Sequence, residues 1–318
     1  MEKNKNKRWV LNWKLILIVL AGLCLLINPA CSKDEDPIKV DLDKKIKIRH
    51  KIESNIITYA YLPQYSHTTS YKRHHQIIKY LRVKTGLNIK QIFPDTFDKH
   101  MAMVGNGKVD ISFSNPFIYI KIADQFNAKA FARIVTIQDQ ENFRGQIICR
   151  ADNLNIKTIE ECRNKTWIAV DSASAGGYLF PLGLFYSHGI FKSDFKEIAF
   201  APGPGAKQEK VVFAVHAGKY DFGTIREGTL DVVANRINLS SIRIIANTPQ
   251  YPGWVYAARK NLDPVVIQKI KTALLALNFN KQKDMIILEA ARFIKIIPSS
   301  DKEFDPIRKL AFDLEVDR

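Results

Sequence analysis

Hydrophobic and polar positions follow two periods that alternate along the chain. Residues 56–61 form a short β-type run, and residues 109–113 alternate between apolar and polar. Between them, residues 72–84 place apolar side chains on one helical face and end just before Gly86; these side chains are Ile77, Ile78 and Leu81. A period of two is typical of a half-buried strand, and apolar positions three and four apart are typical of a helix that covers a sheet. The first half is therefore predicted to run strand, helix, strand.

The second half repeats this alternation. Thr158 and Glu161 have the spacing of a capping box that opens a short helix, and Gly189 is placed to end a helix over residues 178–188. Further runs predict strands over residues 167–170, 198–200, 220–224 and 242–246, a turn over 202–205 and a helix over 208–217. Strands that alternate with helices indicate an α/β fold with parallel sheets covered by helices.

One strand-to-helix turn has the composition of an anion-binding site. The apolar run 166–170 is followed by Asp171 and by six small residues, 172–177, before apolar residues resume. Backbone N–H groups at the start of a helix lack intrahelical partners and attract anions. We therefore expect an anion seat in this turn. The alternative is that Gly176 and Gly177 only let the helix pack close to the strand.

Two segments of the chain resemble each other. Residues 102–110 and 214–221 each close a helix with glycine and enter a strand through Lys-x-Asp, at Asp110 and Asp221. Two generic helix-to-strand turns would give the same pattern. The alternative is a pair of similar lobes that face a cleft.

The first thirty residues have the composition of an export signal. Five basic residues precede thirteen uninterrupted apolar residues, 15–27, which is typical of a signal h-region and short for a membrane span. Ala30 and Cys31 follow, as in a bacterial lipoprotein signal, although Asn28 stands where leucine is usual. We expect a signal peptide over residues 1–30, lipidation of Cys31 at the periplasmic face of a bacterial membrane, and a tether over residues 31–45. An ordinary cleaved signal and an uncleaved anchor are the alternatives.

The charge balance favours anionic partners. The formal net charge is +16, and it falls to +12 when five basic residues and one acidic residue leave with residues 1–30. We expect no nucleic-acid partner, because an exported chain rarely meets one and the basic residues form no stripe interleaved with aromatics. Cys149 and Cys162 are either two reduced core cysteines or a disulfide. No spacing indicates a metal, and we expect no cofactor.

Over residues 54–275 the chain resembles the periplasmic solute-binding proteins of phosphate, phosphite and phosphonate ABC transporters. The motifs that carry the resemblance occupy residues 107–119, 143–150, 171–181, 213–223 and 248–252. The resemblance implies a type II periplasmic-binding-protein fold, an α/β fold in which two lobes joined by two crossing strands close over a ligand in the cleft. Lobe one would be residues 46–143 plus 250–318, and lobe two residues 144–249. The crossings would fall near residues 144–148 and 246–250.

The resemblance also implies where a ligand would bind. Family members seat phosphoryl oxygens on a Ser-Thr-Ser run, which falls here on Ser174, Ala175 and Gly176, so one hydroxyl of three remains. Backbone N–H groups can still donate to an anion, but two hydroxyl donors are lost. The ligand-binding positions implied in this way are Ser174, Ala175, Gly176, Gly177, Asn115, Tyr119, Phe97 and Gln208. Phe97 and Gln208 replace a tyrosine and a histidine of relatives, and an ordinary core aromatic is the alternative for Phe97.

Two charged residues complete the predicted site. Arg226 and Glu227 follow the strand over residues 220–224 and leave its carboxyl end, where open α/β sheets bind ligands. Arg226 is suited to a bidentate anion clamp and Glu227 to pairing with an ammonium group; a mutual salt bridge is the alternative. Trp254 follows Gly253 where relatives that bind amino-phosphonates have an acidic residue, and Trp254 or Tyr251 would add an apolar wall. We expect a small anionic ligand, phosphonate-like or a related organic anion, held by fewer hydrogen bonds than in relatives.

The sequence favours binding over catalysis. The residues around Ser174 lack the first glycine of a G-x-S-x-G elbow, and His74 and His75 point about 100° apart on a helix, so we expect no enzymatic activity. The predicted function is capture of a small anion by lobe closure, as a monomer, and delivery to an ABC permease. The alternative is a lipoprotein that signals to a membrane sensor such as a histidine kinase.

Overall fold

The computed structural model describes residues 56–137 and 140–316. The predicted signal peptide, Cys31 and the tether lie outside these residues. The first strands of the described chain belong to a six-stranded sheet. Three of its strands are parallel: β1 (Ile57–Tyr61), β2 (Ile89–Ile92) and β3 (Ile111–Ser114). Helices α1 (His67–Thr85), α2 (Phe97–Gly105) and α3 (Pro116–Phe126) follow these strands in chain order.

Helix α1 illustrates how local sequence sets these elements. The Ser66 hydroxyl accepts a hydrogen bond from the Thr69 N–H at 3.2 Å and so caps the helix start. Gly86 takes a left-handed conformation, with φ of 69°, and ends the helix. Ile77, Ile78 and Leu81 are buried, as predicted. The helix begins five residues before the predicted start because its first turn is polar and shows no apolar period.

The six-stranded sheet is mixed rather than parallel. After β4 (Lys129–Thr136) the chain leaves for the second lobe and returns as β12 (Val255–Ala258) and β13 (Phe293–Pro298), which lie antiparallel to their neighbours in the order β13-β4-β12-β3-β1-β2. Helices α7 (Pro264–Leu275), α8 (Gln282–Ala291) and α9 (Asp305–Asp313) complete this lobe. The expectation of parallel sheets is therefore wrong, since a returning chain can enter a sheet from either end.

The second lobe contains a five-stranded sheet. Strands β7 (Thr166–Ala169), β8 (Glu197–Phe200) and β9 (Phe222–Arg226) are parallel, whereas β6 (Gly145–Arg150) and β10 (Ile242–Asn247) are antiparallel to their neighbours. The order across the sheet is β10-β6-β9-β7-β8. The helices of this lobe are α4 (Phe180–Ser187), α5 (Lys207–His216) and α6 (Thr229–Val233). A π-helical turn, Ala175–Leu179, leads directly into α4.

Two short strands carry the chain between the lobes. Strands β5 (Asn142–Phe143) and β11 (Tyr251–Pro252) pair with each other and with neither large sheet. The predicted crossings, near residues 144–148 and 246–250, lie immediately beside them, toward the five-stranded sheet. A narrow two-stranded connection of this kind lets two lobes rotate with a change at few residues.

The two Lys-x-Asp segments make the same contacts in the two lobes. A carboxylate oxygen of Asp110 accepts hydrogen bonds from the N–H and hydroxyl of Thr58 on β1, at 2.7 and 2.8 Å. A carboxylate oxygen of Asp221 accepts the corresponding bonds from Thr166 on β7, both at 2.7 Å. These matching hydrogen bonds support the interpretation as two similar lobes, because two unrelated turns would have no reason to share them.

The described cysteines are free. Cys149 and Cys162 are both buried, and burial raises the pKa of the Cys162 thiol to about 12. Within the described ranges no group of histidine, cysteine and carboxylate side chains is arranged to hold a metal. No helix between residues 56 and 316, as far as these are described, is both long and apolar enough to cross a membrane.

Candidate anion-binding cleft

A cavity of about 80 Å³ lies between the two sheets. One water molecule needs about 10–15 Å³ of such volume, so the cavity has room for several waters or a small ligand. Side chains near the carboxyl ends of β1, β3 and β9 line it, among them Tyr61, Phe113 and Arg226. Open α/β sheets bind ligands at this edge of parallel strands. Both lobes contribute, so lobe opening would expose the cavity.

Aromatic side chains form the wall on the six-stranded side. The Trp254 ring lies 5.5 Å from that of Tyr61 and 5.2 Å from that of Phe113, measured between centroids. Trp254 is 2% exposed, and its indole Nε1 has no hydrogen-bond partner within the described parts of the chain. The hydroxyl of Thr136, which also lines the cavity, is buried without a partner there as well. Buried donors are nearly always paired, so these two groups are suited to a polar ligand.

Arg226 brings a positive charge to the cavity from the five-stranded lobe. It is the last residue of β9, and its backbone N–H donates to the side-chain oxygen of Gln208 at 2.9 Å. Its guanidinium donates to the Tyr65 hydroxyl at 3.3 Å and lies 5.7 Å from the Trp254 ring centroid. No described carboxylate forms an ion pair with it. The cation is therefore held by aromatic groups that leave its charge largely uncompensated.

Arg73 brings a second positive charge from α1. Its guanidinium carbon lies 4.3 Å from the centroid of the Tyr65 ring, and the side chain lines the cavity. Burial disfavours the cation, but interactions with the hydroxyls of Tyr61 and Tyr65 outweigh this effect, so the Arg73 pKa is raised from its ordinary value. A guanidinium stays charged at any physiological pH. Burial in turn raises the pKa of the Tyr61 hydroxyl, which stays neutral.

The acidic lining residues are either paired or at the rim. Glu227 accepts from the Arg144 guanidinium at 2.8–2.9 Å. Asp231 lines the cavity but is exposed to solvent. The predicted alternative of a mutual Arg226–Glu227 salt bridge does not occur, because Arg144 holds the carboxylate and the aromatic residues hold Arg226. An ammonium partner for Glu227 would have to compete with Arg144.

The predicted anion seat lies one layer behind the cavity wall. Ser174 caps the π-helical turn, since its hydroxyl accepts from the Gly177 N–H at 3.1 Å. A Cβ on Gly176 would lie 2.9 Å from the Phe143 ring and 3.2 Å from the Arg226 side chain. A Cβ on Gly177 would lie 2.4 Å from a methyl of Val170. Ala175 is fully buried. The glycines thus allow close packing here, as the alternative interpretation proposed, and a ligand contact at this turn stays a prediction.

The remaining predicted residues are buried and engaged elsewhere. Asn115 caps α3 by accepting from the N–H groups of Phe117 and Ile118, and its amide lies 3.5 Å from the Ala173 carbonyl of the other lobe. The Tyr119 hydroxyl donates to Asp301 at 2.6 Å and accepts from the Ala130 N–H.

Phe97 and Gln208 are buried, and neither lines the cavity. The ammonium of Lys207 lies 6.0 Å from the Phe97 ring centroid and pairs with Asp171, the acidic residue that opens the predicted seat. The Gln208 carbonyl accepts from Arg226 and from the Thr229 hydroxyl, so it orients Arg226. Of the ten predicted positions, the structure brings Arg226 and Glu227 directly to the cavity.

Sequence reasoning missed several residues of the cleft, among them Arg73, Tyr61 and Tyr65. Tyr61 ends β1, so the rule applied to Arg226, that residues leaving a parallel strand meet ligands, would have found it. Tyr65 lies in the loop that follows. Arg73 sits within a helix whose other positions read as an ordinary amphipathic pattern, and no local signal sets it apart.

Two lobes that enclose a cavity at their strand ends, lined by aromatic side chains and by Arg73 and Arg226, have the architecture of a two-lobed solute-binding protein. The family model of the periplasmic substrate-binding protein of phosphonate ABC transporters matches residues 59–304. The chain belongs to this family.

Individual relatives agree with this assignment. The phosphate-import protein PhnD of Mycolicibacterium smegmatis is 23% identical over 310 residues, which cover 92% of this chain and 94% of the relative. A binding protein of an ABC phosphonate transporter from Pseudomonas aeruginosa is 19% identical, with a TM-score of 0.72 over 82% of this chain and 86% of its own. PhnD1 from Prochlorococcus marinus, solved in complex with methylphosphonate, is 16% identical, with a TM-score of 0.74 over 82% of this chain and 99% of its own. The structures establish the fold.

Proposed function

We propose that this protein captures a small anion, phosphate- or phosphonate-like or a related organic acid, in the cavity between its lobes and delivers it to an ABC permease. The observation that supports this most is the Arg226 guanidinium, which lines the cavity without a described carboxylate partner. A charge-assisted bidentate contact to an oxyanion is the interaction that a guanidinium makes best.

The composition of the turn at residues 174–177 supports a ligand held differently from that of relatives. Ala175 and Gly176 supply no hydroxyl, and Gly176 packs beneath Phe143 and Arg226. A site with guanidinium and indole donors favours charge and aromatic contact over a dense set of neutral hydrogen bonds. We propose that the pocket has drifted from bare phosphonate toward an organic anion with an apolar portion.

Titration calorimetry of residues 32–318 tests both statements. The panel is phosphate, phosphite, methylphosphonate and a set of organic acids. We expect at least one organic anion to bind more tightly than methylphosphonate. Submicromolar affinity for methylphosphonate would overturn the proposed drift and leave anion capture intact, whereas no binding across the panel would count against anion capture itself.

Two variants locate the site. Arg226→Met is expected to weaken anion binding by about tenfold to a hundredfold, since a charge-assisted contact is worth about 1.5–3 kcal/mol. Gly176→Asp is expected to weaken it as well, because a carboxylate there would lie beside Arg226 and neutralise it. Arg236→Met is the matched control: its guanidinium lies 4.3 Å from the Phe213 ring centroid, and Arg236 does not line the cavity. Unchanged affinity in both test variants would move the site elsewhere.

We further propose that the mature chain is a monomer anchored through a lipid on Cys31, with lobe one spanning residues 46–143 plus 250–318 and lobe two residues 144–249. The β5–β11 ladder supports these lobe boundaries, since it separates the two sheets. Metabolic labelling with an alkyne fatty acid is expected to mark the full-length protein and not the Cys31→Ser variant. Size-exclusion chromatography with light scattering of residues 32–318 tests the monomer.

A further inference from the structure

We infer that Arg73 and Arg226 form a cation pair that opposes lobe closure until an anion with two negative charges lies between them. This deepens the proposed function, because the anion concerned is the ligand of that same cavity. Arg73 on α1 and Arg226 at the end of β9 belong to different lobes, and both lie near Tyr65.

The two guanidinium groups converge on one buried side chain. Tyr65 is fully buried, and the guanidinium carbons of Arg73 and Arg226 lie 4.3 and 6.0 Å from its ring centroid. Both arginines also interact with the Tyr61 hydroxyl: burial raises its pKa, and the two positive charges act against this increase. Because each arginine belongs to a different lobe, closing the cleft brings two like charges toward each other and opening it separates them. Like charges repel more strongly where water is displaced.

Compensation of the pair within the protein is incomplete. Over the described ranges neither guanidinium has a carboxylate oxygen within ion-pair distance. Glu209 interacts with Arg73 at longer range, but burial raises the pKa of this carboxyl and so acts against its ionisation. Glu227 is engaged by Arg144, and Asp231 is exposed. The aromatic face and hydroxyl of Tyr65 carry only partial charges.

The donor set indicates the class of anion. Two guanidinium forks supply up to four well-directed N–H donors, and the buried Trp254 Nε1 adds one without a described partner. A doubly charged oxyanion, such as a phosphonate, a phosphate monoester or a dicarboxylate, would compensate both cations. A singly charged anion would leave a net positive charge between the lobes. Ligand charge would therefore control closure.

Closure can be followed with the protein's own tryptophan. Residues 32–318 contain two tryptophans, Trp167 and Trp254. Trp167 is fully buried in the five-stranded lobe, whereas Trp254 lines the cleft and is 2% exposed with the lobes in contact. Acrylamide is an uncharged quencher, so it does not compete for the arginines. Its quenching of Trp254 is expected to increase when the lobes separate.

The experiment compares the unliganded protein with charge variants at low ionic strength. We expect Arg73→Met and Arg226→Met to raise the closed population by about tenfold and so to lower acrylamide quenching. Arg73→Lys keeps the charge and is expected to quench like the unmodified protein, as is the control Arg236→Met. Sulfate, a dianion, should lower quenching in the unmodified protein; perchlorate, a monoanion, should have a smaller effect at equal ionic strength.

Two results would overturn the inference. One is equal quenching in the unmodified protein, Arg73→Met and Arg226→Met; the other is Arg73→Lys behaving like Arg73→Met, which would assign the effect to shape rather than charge. Circular dichroism checks that each variant folds, and either methionine variant suffices for the comparison. Because quenching is measured without the natural ligand, closure in Arg73→Met would stand even if calorimetry found no anion that binds. Binding without any charge effect on closure would reject the cation pair alone.

Discussion

In the six-stranded lobe Thr58 and Ser66 stand eight residues apart, and in the five-stranded lobe Thr166 and Ser174 have the same separation. The hydrogen bonds at these positions match: each threonine donates to an aspartate that immediately precedes a neighbouring parallel strand, and each serine caps the helical turn that follows. The surroundings differ. Ser66 is half-buried, and the turn before it contributes Tyr61 and Tyr65 to the cleft, whereas Ser174 is almost fully buried.

One backbone arrangement thus serves two purposes in the two lobes. In the first lobe the turn after β1 presents side chains toward the cavity. In the second lobe the turn after β7 is covered by Phe143 and Arg226, and other side chains pack closely against its glycines. A ligand between the lobes therefore meets aromatic groups on one side and the residues that follow β9 on the other.

The largest expected difference between the lobes is their response to acid. His74 and His100 are fully buried in the six-stranded lobe, and desolvation lowers the pKa of each to about 3. Unfolding restores a pKa near 6.5, so the unfolded state binds more protons, and stability present above pH 6.5 is lost as the pH falls toward 3. At pH 4.5 each histidine is expected to cost about 2–3 kcal/mol.

Hydrogen exchange at pH 7 and 4.5 checks this asymmetry. Exchange corrected for its intrinsic pH dependence should accelerate more in β1 and β3 than in β7 and β9. In the double variant His74→Gln/His100→Gln, acid is expected to accelerate exchange equally in the two sheets, even if this variant is less stable at pH 7. Equal acceleration in both sheets would contradict the prediction.

The aspartate contacts should differ in strength between the lobes. Asp110→Ala is expected to cost about 3 kcal/mol, and Asp221→Ala about 2 kcal/mol, in free energy of unfolding. Asp110 is the more buried of the two, and its second oxygen pairs with Arg259 at 2.7 Å. Its removal therefore also leaves the Arg259 guanidinium without this carboxylate. Urea unfolding measures both. The exposed Asp95→Ala serves as control, with an expected change within about 0.5 kcal/mol; a larger cost for Asp221→Ala than for Asp110→Ala would reverse the ranking.

Packing around the two turns offers a third test. Gly177→Ala is expected to cost about 1–3 kcal/mol, because its Cβ would lie 2.4 Å from Val170. The corresponding position of the first lobe, three residues after the capping serine, is Thr69, and Thr69→Ala should change stability by no more than about 0.5 kcal/mol. Thermal unfolding of both variants measures the contrast. Similar costs would mean that the second turn is no more tightly packed than the first.

The smallest expected effect concerns the caps themselves. Ser66→Ala and Ser174→Ala should each cost about 1 kcal/mol, the usual value for a lost N-cap hydroxyl. Ser174→Ala is expected to cost more, since it leaves the buried Gly177 N–H without its acceptor, whereas water can reach the half-buried Ser66. Chemical denaturation of the pair, with serine-to-threonine variants to retain the hydroxyl, measures this difference. Equal losses would show that burial adds nothing at this cap.

Much of the fold was predictable from local pattern. The helix that ends at Gly86, the strand before Asp171 and the helix that ends before Gly189 all occur within a few residues of their predicted bounds. Turn glycines and amphipathic periods carry this information within short windows. The mixed direction of both sheets was missed, because strand direction depends on where the chain re-enters a sheet and leaves no mark on the strand itself.

The candidate site was predictable only in part. The rule about strand ends led to Arg226 and Glu227, which line the cavity. The family resemblance led to residues that cap helices or lie behind the cavity wall, such as Ser174 and Asn115. Whether these contact a ligand stays a prediction.

Local sequence was enough to predict many of the helices and strands, the family resemblance and the repeat of the Lys-x-Asp turns, because each depends on residues whose type and spacing can be read directly. Which side chains meet in the cleft depends on the packing of the two lobes. Arg73 and Arg226 are far apart in the chain and lie in different lobes, yet both approach Tyr65. That meeting depends on how two separately folded sheets pack, which no local window of sequence encodes.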